Sequence, residues 1–149
     1  MSLKGQITED MKSAMKAGEK DRLKVVRLIL AAIKQIEVDT REDLDEAAVL
    51  AVLTKMVKQR RDSVEQFEQG NREDLAAIER AEIMILDTYL PEQLSANELA
   101  VMIDKVIQAT GASGIRDMGK VMGQIKVKAS GRADMGAVSA VIKERLSAN

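Results

Sequence analysis

An all-α fold is predicted, with an N-terminal helical domain of about four helices followed by a small three-helix domain. Three observations predict it. Aliphatic residues recur at spacings of three and four through most of the chain, the signature of a helix with one apolar face. The 149 residues are 46% hydrophobic but only 1% aromatic, with one Phe and one Tyr, so the core must be built from Leu, Ile, Val, Met and Ala. There is a single proline, and the glycines fall where apolar stripes end.

The elements follow in order. Leu3, Ile7, Met11, Ala14 and Met15 define a helix over 3–17, closed by Gly18. Asp21 is placed to cap a second helix carrying Leu23, Val26, Ile29, Leu30, Ile33 and Ile36. The polar run Asp39–Asp43 reads as a joint. A long third helix starts near Asp45, with Val49, Val52, Leu53, Met56, Val57, Arg60, Val64 and Phe67 in one stripe, and Gly70-Asn71 stops it. The fourth, from about Arg72 to Leu90, bears Leu75, Ile78, Glu82, Ile85, Leu86 and Tyr89. Arg60 falls in the apolar stripe of the third helix, so it is expected to be half-buried and paired with Glu79 or Glu82.

Pro91 closes the fourth helix and marks a domain boundary, giving domains 1–93 and 94–149. Ser95-Ala96-Asn97-Glu98 has the spacing of a capping box, ahead of a stripe of Leu99, Met102, Ile103, Val106 and Ile107 that ends at Gly111. Ser113 is placed to cap the next helix, Gly131 to break it, and Asp134 to cap a last one bearing Val138, Val141, Ile142 and Leu146. Met102, Met118, Met122 and Met135 read as core fillers.

Several chemistries are excluded. With no Cys and no His, there is no thiol nucleophile, disulfide, imidazole acid–base catalysis or Cys/His zinc site. No phosphate-binding loop or dinucleotide fingerprint is present, and no cofactor is predicted. No apolar run approaches about 20 residues and no signal-peptide pattern opens the chain, so no membrane partner is expected and the predicted location is cytoplasmic.

The net charge of −1 hides an asymmetry. Residues 1–93 hold fifteen basic against nineteen acidic side chains, and residues 94–149 hold eight against five. Within the second part, the segment Asp117-Met118-Gly119-Lys120-Val121-Met122-Gly123 sets a lysine between two glycines four apart. Glycine costs a helix roughly 1 kcal/mol relative to alanine, so such a pair implies a close approach by another helix or by a ligand. Met118, Val121, Met122 and Ile125 share one helix face, while Arg116, Lys120, Gln124 and Lys128 follow another. With Lys126 and Arg132 nearby, the candidate phosphate-backbone contacts are Arg116, Gly119, Lys120, Gly123, Lys126, Lys128 and Arg132.

Four stretches together, Lys58-Gln59-Arg60-Arg61-Asp62-Ser63, Asn71-Arg72-Glu73-Asp74-Leu75, Tyr89-Leu90-Pro91-Glu92-Gln93-Leu94 and Asp117–Gly123, occur in the order found in the YqeY family, which the chain resembles over nearly its whole length. That family shares its domain with the C-terminal tail of the GatB component of aspartyl/glutamyl-tRNA amidotransferase and with appendages of some glutaminyl-tRNA synthetases, where it is associated with tRNA binding. The resemblance implies a non-catalytic tRNA-binding accessory module with weak backbone and shape contacts. The alternative it implies is a helical protein-interaction module that docks an amidotransferase, a synthetase or another partner. The amidotransferase chemistry itself does not carry over, because it needs a kinase-like domain and an amidase for which this chain has no room.

Overall fold

The computed structural model describes residues 2–148. Among these the fold is all-α: seven α-helices, one 3-10 turn and no strand. The helices are α1 (Leu3–Ala17), α2 (Lys20–Thr40), α3 (Glu46–Gln69), α4 (Glu73–Asp87), α5 (Ala96–Thr110), α6 (Met118–Ala129) and α7 (Met135–Ser147). The chain divides after Pro91 into two compact units.

The first unit holds α1–α4 around an aliphatic core. Ile7 of α1, Val25, Val26, Ile29 and Ile33 of α2, Val49, Val52, Leu53, Met56 and Val57 of α3, and Leu86 of α4 are buried together. Polar links tie the helices at their edges. Lys4 of α1 lies 2.7 Å from the Glu37 carboxylate of α2, which also accepts from the Leu44 amide at 3.0 Å. The Lys4 ammonium, and after it the Leu44 amide, hold the Glu37 carboxyl below the usual carboxylate range. Arg60 donates to Glu82 at 2.9 Å, with both side chains 13% exposed, so the apolar-stripe arginine finds the second of its two expected partners. Lys24 approaches the other oxygen of Glu82 at 3.4 Å.

Tyr89, 7% exposed, closes the first unit. Its hydroxyl donates to Asp10 at 2.6 Å and accepts from Arg22 at 3.3 Å, and the Arg22 guanidinium lies 5.8 Å from the ring centroid. Burial, reinforced by the Asp10 acceptor, pushes the phenol up to about 12. Tyr89 is the only tyrosine and there is no tryptophan, so its phenolate can be followed directly by ultraviolet absorbance. The native chain should titrate near 12 and the urea-unfolded chain near 10. Because the folded pKa is the higher one, this residue's contribution is complete below about pH 10 and lost as pH rises through its folded value. A native midpoint near 10 would contradict the buried Tyr89–Asp10 contact.

Helix ends follow their residues with informative exceptions. Gly18, Gly111 and Gly131 adopt positive φ where helices stop. After α3 the left-handed residue is Asn71 at φ 57°, not Gly70, and α2 ends on Arg41 at φ 59°. Asp21 does not cap α2: the N-cap is Glu19, which makes no side-chain capping bond, and Asp21 sits in the first turn. Aspartate is favourable there too, by interaction with the helix dipole, so composition alone does not separate the two positions.

The second unit packs α5, α6 and α7 around Ile103, Val106, Val121, Ile125, Ala129, Val138, Ile142 and Leu146. The four methionines expected as fillers lie half-buried against this cluster. Ser95 and Glu98 form the full capping box, with bonds of 3.0 and 3.1 Å. Asp134 caps α7 through the Gly136 amide. Ser113 is not the cap of α6. A 3-10 turn, Ile115–Asp117, intervenes, and the Ser113 amide instead donates to the Asp117 carboxylate at 3.0 Å. The short turn places Asp117 at the helix start, where its carboxylate bonds backward to the loop rather than forward to the helix.

Candidate functional site

The side chains of α6 sort around its axis at about 100° per residue. Val121, Ile125 and Ala129 point into the core and are fully buried, with Met118 and Met122 half-buried beside them. Opposite this stripe lie Gly119, Gly123 and Val127, flanked by Lys120 and Lys126, with Arg116 in the 3-10 turn at the N-terminal end. All of these are exposed, Val127 at 82%.

The glycines are the decisive feature. A Cβ atom built on Gly119 or on Gly123 meets no atom within 4 Å. Among the described residues of the second unit, no close packing of the kind their spacing implied is present, and that part of the expectation is corrected. Two residues that weaken the helix by roughly 1 kcal/mol each serve no contact among the described residues of their own unit. What they create is a shallow bare strip on the outer face of α6, bordered by the cations of Arg116, Lys120 and Lys126.

One acid belongs to this surface. Asp117 precedes the strip, and its carboxyl is held below the usual range first by the Ser113 amide, with the charges of Lys120 and Arg116 adding to the effect. It stays an anion and offsets one of the three cations. Lys120 also reaches toward the Thr110 carbonyl at 3.5 Å, the long limit for such a bond. Lys126 has no acidic partner among the described residues.

The seven candidate residues thus do not form one patch. Arg116, Gly119, Lys120, Gly123 and Lys126 share the outer face. Lys128 and Arg132 lie elsewhere, beside a groove against α5 that also carries Lys105. Lys128 leaves the strip because two residues of helix turn it about 200° from Lys126, toward the edge of the core. Arg132, in the loop after α6, donates to the Glu92 carbonyl at 3.1 Å. Lys105 was not singled out in the sequence. It is the one basic residue of α5, and the signal that marks its surroundings is Val101, an apolar residue off the buried stripe and 53% exposed.

Among the described residues, no group of three or more Asp or Glu side chains is placed to hold a metal ion, and no helix is long and apolar enough to cross a membrane.

The profile of the Yqey-like protein family matches residues 4–146. The chain belongs to the YqeY family. Its relatives include proteins called "Altered inheritance of mitochondria protein 41, mitochondrial". The one from Lachancea thermotolerans is 38% identical over 96 residues, covering 64% of this chain and 51% of the relative. That from Kluyveromyces lactis is 36% identical over 106 residues, covering 66% and 57%. In Eremothecium gossypii the identity is 30% over 146 residues, covering 95% of this chain and 79% of the relative. The chain thus spans little more than half the length of the first two. The family membership fits the motifs from Lys58 to Gly123 that the sequence presented. The names of these relatives overturn the expected cytoplasmic location, since they are mitochondrial proteins. That expectation rested on the absence of a long apolar run and of a signal-peptide pattern, which bear on membrane spans and secretion rather than on a mitochondrial location.

Proposed function

We propose that this YqeY-family chain is a non-catalytic tRNA-binding accessory module that sets the outer face of α6 against the phosphate backbone. The bare strip at Gly119 and Gly123 carries the reading. It lies between Arg116, Lys120 and Lys126, and no packing among the described residues of its own unit accounts for it. Without side chains at these two positions a phosphate can approach the helix surface closely, and the bordering cations supply the attraction. The second unit contains neither Phe67 nor Tyr89, the chain's two aromatic residues, so stacking of unpaired bases on this surface is not part of the reading. Contacts are to backbone and shape.

A titration of folded tRNA against the full chain, repeated at rising salt, tests this. Binding should be weak and salt-steep, with the logarithm of affinity falling by about 0.7–0.9 per phosphate contact for each tenfold rise in salt. Lys120→Ala should weaken binding severalfold and reduce that slope by about one contact, with helicity unchanged. If tRNA binds no better than an unrelated acidic polymer such as polyglutamate, the reading fails.

A second reading, a helical protein-interaction module that docks an amidotransferase, a synthetase or another partner, draws on α4. Ile78 and Met84 are 52% and 72% exposed on its outer side, with Ala77 and Ala81 exposed between them. Nuclease-resistant association with a defined partner, lost in Met84→Glu, would favour that reading.

A further inference from the structure

The groove between α5 and the C-terminal end of α6 differs in kind from the strip on the outer face. Its volume is about 540 Å³, and its floor is apolar, formed by Leu94, Val101 and Met102. Its rim is cationic, with Lys105 on α5, Lys128 on α6 and Arg132 in the following loop. The one acid lining it is Glu98, whose carboxylate accepts from the Ser95 amide and is held below its usual range by that bond. It is thus already satisfied, and the rim keeps a net positive charge. Lys105 and Lys128 have no acidic partner among the described residues.

The groove is also preformed. The segment entering α5 is fixed to the loop leaving α6 by three bonds: Leu94 amide to Arg132 carbonyl at 2.8 Å, Gln93 side chain to Gly131 carbonyl at 2.7 Å, and Arg132 Nε to Glu92 carbonyl at 3.1 Å. One end of the groove is therefore held by one backbone–backbone bond and two side-chain bonds to backbone carbonyls. Such fixing lowers the ordering cost of binding.

These observations select an occupant. An apolar floor bordered by cations complements a segment with apolar residues on one side and carboxylates on its flanks. From Glu98 to Lys105 the α5 wall is about 10 Å long, which matches two turns of a helix laid alongside it. No aromatic ring lines the groove to stack a base, and Val101 and Met102 offer aliphatic and thioether surface suited to packing side chains. We propose that this groove docks an acidic amphipathic helix of a partner protein, independently of the surface assigned to RNA.

The test uses the full chain with ¹³C-labelled Val and Met methyl groups. The probe is a synthetic helical peptide with Leu at every third and fourth position and Glu on the flanks. Controls are the same peptide with Lys for Glu, and a scrambled peptide of the acidic composition. The acidic helix should shift the Val101 and Met102 signals saturably and leave Val127 on the outer face of α6 unmoved. Lys105→Glu with Lys128→Glu should weaken that binding at least tenfold. Absence of any shift at Val101 and Met102 up to about 1 mM peptide, or equal shifts from the basic or scrambled peptide, overturns the proposal. So does a tRNA titration that moves these two methyls when the acidic peptide does not.

Discussion

Replacing Ile125 with alanine should destabilise the C-terminal unit by about 2–5 kcal/mol, through lost burial and the cavity left behind. Ile125 is fully buried at the centre of α6, in the same cluster as Val106, Val121 and Ile142. A core this small supplies only about 3–5 kcal/mol of net stability, so the loss is comparable to the whole. Urea unfolding followed by helical circular dichroism should show that part of the signal melting at much lower denaturant, or already absent in buffer. Two residues along, Val127→Ala should change the curve by less than about 0.5 kcal/mol, because Val127 is 82% exposed and lies outside the core. Similar losses from the two substitutions would mean that α6 presents a different face to the core. The strip on its opposite side would then be misplaced as well.

The fold was legible where local chemistry and periodicity agreed. Arg60 stood inside an apolar stripe, which called for an acidic partner, and Glu82 answers it. Ser95 and Glu98 had the spacing of a capping box and form one. Gly131 and Asp134 occupy the predicted end and start around the last loop. Legibility failed at Asp21 and Ser113 for one shared reason. A short polar residue near a helix start can cap, occupy the first turn or bond within the preceding loop, and sequence spacing does not distinguish these.

The site was half legible. The glycine pair and Lys120 stood out because glycine is disfavoured inside helices, but the reason for their presence was open between packing and approach from outside. Only the empty space beyond both α-carbons separates these. The charge count gathered Lys128 and Arg132 with the others, since proximity in sequence ignores the helix phase that turns Lys128 toward α5. Lys105, fifteen residues before Lys120, joins Lys128 and Arg132 only through the packing of α5 on α6. Tertiary contact of that kind leaves no mark in a single sequence. The apolar residues off the buried stripes, Val101 and Met84, were visible in principle as breaks in the helical pattern.

The central claim is that Gly119 and Gly123 keep the outer face of α6 open for a phosphate backbone. The most direct measurement is the tRNA affinity of the double variant Gly119→Gln, Gly123→Gln alongside its thermal stability. Glutamine leaves the charge unchanged and is a good helix former, and the space around both positions is empty, so stability should be equal or higher by up to about 1 kcal/mol per site. Affinity should nonetheless fall at least tenfold, about 1.4 kcal/mol, because the new side chains hold the phosphates away from Arg116, Lys120 and Lys126. A double variant that is as stable as the native chain and binds tRNA just as tightly would contradict the account.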